Sequence, residues 1–128
     1  MHEIESDDVP AALGPYSQGI VSGDTVRVSG KTGSDPETGE FSDDVAEQTT
    51  RTLRNVETIL EAAGTSADAI VSATVYLTDM DDYEAVNGAY EAYLDEPYPA
   101  RTCVEVSRLP APDAAVEITV TAELNGDD

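Results

Sequence analysis

Apolar and polar residues follow two different periods along this chain, and the changes of period outline its elements. Residues 18–30, QGIVSGDTVRVSG, predict two short strands around a Ser22-Gly23-Asp24 turn, with alternation of apolar and polar residues in the second. From about Ser42 to Ala63 the spacing becomes three or four residues, which predicts a helix. Ser42 is predicted to cap this helix and Gly64 to end it. The face of the predicted helix is made of Val45, Thr49, Leu53, Val56, Leu60 and Ala63.

The second half of the chain is predicted to form a strand, a helix and two further strands. Residues 69–79, AIVSATVYLTD, are rich in β-branched residues and predict a strand. A second helix is predicted from about Asp82 to Leu94, with Asp81 and Glu84 forming a capping box. Residues 100–109 and 116–124, ARTCVEVSRL and VEITVTAEL, predict two final strands joined as a hairpin through PAPDA. We assign one face of the first strand to Val71, Ala73, Val75 and Leu77, and one side of the helix to Tyr83, Val86, Asn87, Tyr90 and Leu94.

Strands that alternate with two helices predict an α/β (α+β) sandwich. We expect one mixed sheet with two helices packed on one face. The length of 128 residues fits a single domain spanning residues 1–128.

Two helices cover only one sheet face, so the alternation within each strand decides which residues reach the other. We expect Ser29, Arg101, Cys103 and Glu117 on the uncovered face, from three different strands. The mixed content of that face favours burial against further copies of the chain in a closed ring. An arginine, a hydroxyl and a carboxylate at such a seam suit a small carboxylate ligand. The residues assigned to the helix side are Val26, Val28, Val104, Val106, Val116, Ile118, Val120, Ala122 and Leu124.

Composition narrows the class of protein. The net charge is -21, with 27 acidic residues against six lysines and arginines, and the acids are spread along the chain. This is typical of a halophilic protein with an acidic surface, and it argues against nucleic acid as a partner, since phosphate binding needs a basic footprint. No apolar run is long enough to span a membrane and no secretion signal is present, so we expect a cytoplasmic protein.

The only cysteine and the only histidine do not suggest a metal site or a thiol nucleophile. Cys103 has no histidine near it in the predicted fold, because His2 lies in a terminus that we expect to be loosely held. A lone cysteine is most often a small buried apolar residue. The tyrosines at positions 83, 90 and 93 are interpreted as packing residues.

Several stretches together resemble the RidA (YjgF/YER057c/UK114) family of reactive intermediate (imine) deaminases. They cover nearly the whole chain, from about Pro10 to Leu124, and the combination of PAR-x-x-V-x-V, LP and a glutamate-bearing last strand is specific. The stretches are GPYSQGI (14–20), VSG (28–30), EAAG (61–64), VYLTDMDDYEAVNGAY (75–90), PARTCVEVSRLP (99–110) and VEITVTAEL (116–124). One departure is Lys31, where glutamine is common after SG in the family.

The resemblance implies a chorismate-mutase-like (YjgF) fold and a homotrimer with active sites between subunits. It also implies hydrolysis of enamines and imines, such as 2-aminoacrylate and 2-iminobutanoate, to 2-oxo acids and ammonia, without a cofactor. Arg101 would hold the substrate carboxylate, the main chain at Cys103 would contact its nitrogen end, and Glu117 would orient or deprotonate the attacking water.

Four further residues would shape the cleft by the same resemblance. Tyr16 would line it beside the catalytic groups, Ser29 and Gly30 would form its wall, and Asn87 would hold its neighbour through hydrogen bonds. Simpler interpretations stay open: Tyr16 packing at a core edge, Asn87 as a helix-surface amide, and Glu117 as one solvated acid among many.

Two other functions also stay open. The same arginine could serve a non-catalytic trimer that binds small carboxylates. Ribonuclease activity or translation inhibition, attributed to some members of the family, is the other alternative, and the acidic charge disfavours it.

Overall fold

Six strands form one mixed sheet, and two helices lie against one of its faces. A computed structural model describes residues 1–124. In order along the sheet the strands are β1, β2, β3, β6, β4 and β5, and only the β4–β5 pair is parallel. The elements are β1 (His2–Ile4), β2 (Gly19–Ser22), β3 (Thr25–Lys31), α1 (Val45–Ala62), β4 (Ile70–Leu77), α2 (Tyr83–Tyr93), β5 (Ala100–Glu105) and β6 (Val116–Glu123). The predicted fold class, one mixed sheet with two helices, is confirmed; residues 125–128 of the predicted domain lie outside the described residues.

The core lies between the helices and the sheet. Val26, Val75 and Ile118 from the strands and Leu60 and Val86 from the helices have no solvent exposure. The alternation predicted for β3 and β6 is therefore confirmed, since their apolar residues face the helices and Arg27, Ser29 and Glu117 do not. No helix in residues 1–124 has the length and apolarity needed to cross a membrane.

Both predicted helices exist, but their first turns differ from the prediction. Asp44, and not Ser42, caps α1 by accepting a hydrogen bond from the Ala46 N–H, while the Ser42 hydroxyl accepts one from the Asp44 N–H. The helix ends as predicted before Gly64, whose φ of 92° suits glycine. The prediction that Asp81 and Glu84 form a capping box is wrong. Asp79 instead caps a single 3₁₀ turn, Met80–Asp82, that leads into α2.

Two further predictions are wrong because the strands pair differently from what the sequence indicates. The N-terminus is not loosely held, since His2 and Glu3 pair with β2 across from Val21 and Ile20. In β4 the register shifts between Ile70 and Ser72, so Ile70 is buried and Val71 is 43% exposed. A bulge of this kind reverses the side-chain alternation on one side of it; Ala73, Val75 and Leu77 keep the predicted face.

The predicted hairpin between β5 and β6 is wrong. β4 lies between them, antiparallel to β6 and parallel to β5, which makes β5 the edge strand beside the crossover helix α2. Parallel neighbours need a crossover rather than a tight turn, and α2 supplies it.

The face predicted for β5 is also reversed. Arg101 and Cys103 pair in register with Ala73 and Val75, which face the helices, so they lie on the helix side of the sheet. Val104 instead lies on the uncovered face and is 38% exposed. The prediction assumed that the apolar residues of every strand face the helices, and this edge strand places an apolar residue on the other side.

Candidate active site

The predicted site residues form two groups on opposite faces of the sheet. Tyr16, Ser29, Gly30 and Glu117, here called the glutamate group, belong to the uncovered face and the loop beside it. Asn87, Arg101 and Cys103, the arginine group, lie on the helix side at the β5 edge. Sequence reasoning placed Arg101 and Cys103 with Glu117, and the structure separates them.

A bulge in β3 holds the glutamate group together. The register with β6 shifts between Val28 and Lys31, so Ser29 and Gly30 occupy a widened part of the strand. The Ser29 hydroxyl donates a 2.6 Å hydrogen bond to the Ser17 carbonyl, and the Ser29 N–H donates to Gln18. These bonds fix the preceding loop against the bulge. Tyr16 belongs to that loop and is 51% exposed.

Glu117 lies directly over Gly30. A Cβ atom added to Gly30 would come within 2.8 Å of the Glu117 carboxyl carbon, closer than real contacts allow. Because Gly30 has no side chain, the Glu117 carboxylate can occupy the space where a Cβ atom would lie. This gives the glycine of the predicted VSG motif a physical role.

Burial and a neighbouring cation set the pKa of the Glu117 carboxyl. Burial raises the pKa of the Glu117 carboxyl, and the positive charge of Lys31 partly offsets that rise. Burial also lowers the pKa of Lys31, with the Glu117 charge acting in the opposite direction. Lys31 is 7% exposed and its Cα pairs with Ile118, next to Glu117 in β6. A partly buried carboxylate of raised pKa is a candidate general base.

In the arginine group, two tyrosines of α2 hold the guanidinium of Arg101. Its Cζ lies 4.9 Å from the centre of the Tyr90 ring and 5.7 Å from that of Tyr83, within cation–π range. Nη2 donates a 3.2 Å hydrogen bond to the Tyr83 hydroxyl. Arg101 opens onto a cleft of about 520 Å³, large enough for a small organic acid. The cleft is also lined by Glu84, Asn87, Tyr90, Glu91, Tyr98 and Pro99.

The other two members of the arginine group, Cys103 and Asn87, are both half-buried. Cys103 is half-buried against the core, and burial raises the pKa of its thiol while the Arg101 charge opposes this. A thiol of raised pKa is a poor nucleophile, in agreement with its interpretation as a packing residue. Asn87 is half-buried on the cleft wall, on the same helix as both tyrosines.

Sequence reasoning missed Tyr83, Tyr90 and Lys31 as members of the site. The two tyrosines were interpreted as packing, yet their seven-residue separation places them on the helix side that carries Asn87, which was the available signal. Lys31 could be found only through the β3 bulge, because alternation alone does not predict its burial. Among residues 1–124 no three His, Cys, Asp or Glu side chains are grouped as metal ligands.

Residues 6–124 match the protein-family model described as Endoribonuclease L-PSP. The chain belongs to this family, also known as YjgF/RidA. It is 44% identical over 122 residues to 2-iminobutanoate/2-iminopropanoate deaminases of Salmonella typhimurium and Escherichia coli, covering 93% of this chain and 94% of each relative.

Solved structures of the YjgF/RidA family share the fold. RidA from an Antarctic Psychrobacter gives a TM-score of 0.92 at 41% identity, over 96% of this chain and 99% of that one. Escherichia coli TdcF with bound serine gives 0.91 at 40% identity, over 96% and 98% of the two chains.

Two glycines three residues apart allow the Gly30–Glu117 contact to be tested. We expect Gly30→Ala to fold, because the new methyl meets only the end of a flexible side chain, but to displace the Glu117 carboxylate. A displacement of about 1 Å would lower kcat/KM on the order of 10²-fold. Gly33→Ala is the contrast: its methyl would meet the main chain of Gln48 within 3.0 Å of the carbonyl carbon, so it should lower the melting temperature instead. Wild-type kcat/KM in a folded Gly30→Ala variant would contradict the assignment.

The raised pKa of Glu117 predicts that its charge costs stability. A folded-state pKa above the unfolded value means that protonation stabilises the fold at low pH, and that this stability is lost as pH rises through the folded pKa. Glu117→Gln should therefore melt above wild type at pH 7, and the difference should shrink as the pH falls to about 4. Glu123→Gln, on the exposed end of the same strand, controls for net charge. Melting curves at one protein concentration measure the difference in melting temperature. A Glu117→Gln variant that melts below wild type at pH 7 would argue against a Glu117 charge that destabilises the fold.

Proposed function

We propose that this chain hydrolyses reactive imines and enamines of small amino acids, such as 2-iminobutanoate and 2-aminoacrylate, to 2-oxo acids and ammonia. The 44% identical relatives are named for this type of reaction. The observation that carries the proposal is the state of Arg101, which opens onto a cleft and, among residues 1–124, has no carboxylate in ion-pair contact. An arginine in this state is ready to bind the carboxylate of a substrate.

The active site is proposed to lie between two subunits of a homotrimer. Arg101 and Glu117 lie on opposite faces of the sheet, and β4 separates their strands. One chain therefore cannot bring both groups to one small molecule. A neighbouring copy that packs against the uncovered face would bring its arginine group to this chain's glutamate group.

The side chains of the uncovered face support such packing. In a chain with 27 acidic residues this face is largely uncharged, and much of it is half-buried even in the single chain. Val104 adds an exposed apolar side chain to it. A closed ring of three copies would cover this face and build three equivalent sites. The neutral residues of the face include Ser72, Thr74, Tyr76, Val104, Thr119 and Thr121.

The proposed roles follow from each group's chemistry. Arg101 binds the substrate carboxylate through two parallel hydrogen bonds, which fixes the adjacent C=N carbon. The main chain at Cys103 contacts the nitrogen end, and Asn87 hydrogen-bonds its neighbour on the arginine side. Ser29 and Gly30 form the wall on the glutamate side, and Tyr16 covers it.

Glu117 is proposed to act as the general base. It accepts a proton from water as the oxygen forms a bond to the imine carbon, and the electron pair of the C=N π bond moves to the nitrogen, which takes a proton from solvent. The nitrogen of the resulting carbinolamine then takes the proton held by Glu117 and leaves as ammonia, while the hydroxyl loses its proton to solvent and becomes the carbonyl of the 2-oxo acid. The imine carbon is already electrophilic, so one base and correct positioning suffice, and we assign no cofactor to the reaction.

The surroundings of the reaction are part of the proposal. An acidic surface with a net charge of -21 suits a salty cytoplasm, where ions screen the repulsion between like charges. We propose neither a membrane nor a nucleic-acid partner. Ribonuclease activity is the alternative favoured by the family's description, Endoribonuclease L-PSP. The six lysines and arginines of this chain offer little attraction for a phosphate backbone.

The deaminase proposal predicts suppression of a trapping reaction. An amino-acid oxidase would generate 2-iminobutanoate in molar KCl, semicarbazide would trap it, and the wild-type chain should reduce adduct formation. Arg101→Ala should lose this effect through weaker binding, and Glu117→Gln through loss of the base, by about 10²–10⁴-fold in kcat. Tight 2-oxobutanoate binding by wild type without suppression would favour a carboxylate-binding trimer. Cleavage of added RNA without suppression would favour the ribonuclease.

Shared sites predict that two inactive variants rescue one another. If Arg101→Ala and Glu117→Gln chains are unfolded together and refolded at equal ratio, about a third of the sites in mixed trimers, and about a quarter of all sites, receive an intact arginine group and an intact glutamate group. Activity should therefore return to about a quarter of wild type. Each variant refolded alone is the control. No recovery, despite mixed trimers detected by mass spectrometry, would mean that both groups act within one chain.

A further inference from the structure

Arg101 shares its cleft with two glutamates, yet its side chain contacts two aromatic rings. Glu84 and Glu91 line the same cleft, and the chain carries 27 acidic residues. In the described part of the chain, however, the one ion pair joins Arg51 to Glu47, at 2.9 Å. The contacts of Arg101 are instead the faces of Tyr83 and Tyr90 and the Tyr83 hydroxyl.

This arrangement leaves much of the guanidinium available. The two rings contact it through cation–π attraction, and the Tyr83 hydroxyl accepts from one N–H of Nη2. A guanidinium has five N–H donors in one plane, so four remain after that bond. Two parallel donors are enough to bind a carboxylate in the bidentate geometry. A glutamate in place of the tyrosines would occupy those donors and cancel the charge.

We propose that Tyr83 is a positioning residue that orients Arg101 for the substrate carboxylate and keeps it from pairing with the carboxylates of the cleft. Tyr90, 5% exposed, supplies the fixed surface beneath the guanidinium. Tyr83, 39% exposed at the start of α2, supplies the adjustable contact and the hydrogen bond. This inference rests on the proposed function only for the identity of the ligand. The effect of Tyr83 on the mobility of the Arg101 side chain can be measured without turnover.

Two substitutions separate the ring from the hydroxyl. Tyr83→Phe keeps the ring and removes the acceptor, and we expect KM for 2-iminobutanoate to rise about 2–10-fold with kcat nearly unchanged. Tyr83→Leu removes both contacts, and we expect a rise on the order of 10- to 50-fold. A KM for Tyr83→Phe that lies between those of wild type and Tyr83→Leu would show that both the ring and the hydroxyl contribute. Both variants should fold, because Tyr83 is exposed and outside the core cluster.

Tyr93→Phe is the matched control. It removes the same atom from the same helix, where the Tyr93 hydroxyl donates a 2.6 Å hydrogen bond to Glu57, away from Arg101. We expect it to lower the melting temperature without changing KM. A merely structural role for Tyr83 would give the same result as this control.

A second readout needs no substrate turnover. The NMR signal of the Arg101 Nε–H group should report a rigid side chain in wild type and in Tyr93→Phe, and a mobile one in Tyr83→Leu. Binding of 2-oxobutanoate, followed by calorimetry, should weaken in the same order as KM rises.

The outcomes distinguish the two proposals. Turnover by wild type with unchanged KM and unchanged Arg101 dynamics in Tyr83→Leu would overturn the positioning role and leave the deaminase intact. Absence of turnover, with 2-oxobutanoate binding that weakens in Tyr83→Leu, would remove the deaminase and support the positioning role. A wild-type chain that neither turns over 2-iminobutanoate nor binds 2-oxobutanoate would overturn both.

Discussion

Two helices cover only one face of a six-stranded sheet, and the rest of this protein's organisation depends on that shortage. The covered face holds a core whose residues, such as Val75 and Ile118, are fully buried. The other face carries Glu117 among mostly neutral side chains and is open in the single chain. A sheet face of this kind is stable in water only if it is polar or covered. Copies of the chain are the economical cover, and they would build the active site as they assemble.

The site has to concentrate positive charge in a molecule with a net charge of -21. Its two cations, Lys31 and Arg101, are accommodated among the acids in different ways. Lys31 is buried, which lowers its pKa and leaves Glu117 as the charge that influences it most. Arg101 is held by the faces of Tyr83 and Tyr90, which attract a cation without neutralising it. A carboxylate ligand would then meet an arginine that is already oriented, and binding would not have to break an ion pair first.

The sequence predicted side-chain faces correctly where the alternation of apolar residues was clear. It failed where the pairing of distant strands set the face of a strand. The alternation in β3 and β6 identified their core faces because both strands lie inside the sheet, where one side is fully covered. For β5 the same rule placed Arg101 on the wrong face. The strand lies at the edge, and its apolar residue Val104 faces away from the helices. The order of the strands could not be read from the chain, since a hairpin and a crossover differ only in which strands pair.

The sequence by itself determined the two helices, the mixed sheet, the family and the identity of the residues proposed for chemistry. These follow from periodicity and from local motifs, which are properties of neighbouring residues. Only the tertiary structure decided that Arg101 and Glu117 lie on opposite faces, that Gly30 makes room for the Glu117 carboxylate, and that Tyr83 holds the guanidinium. Strand order, bulges and helix placement fix those distances, and each depends on contacts between residues far apart in the chain.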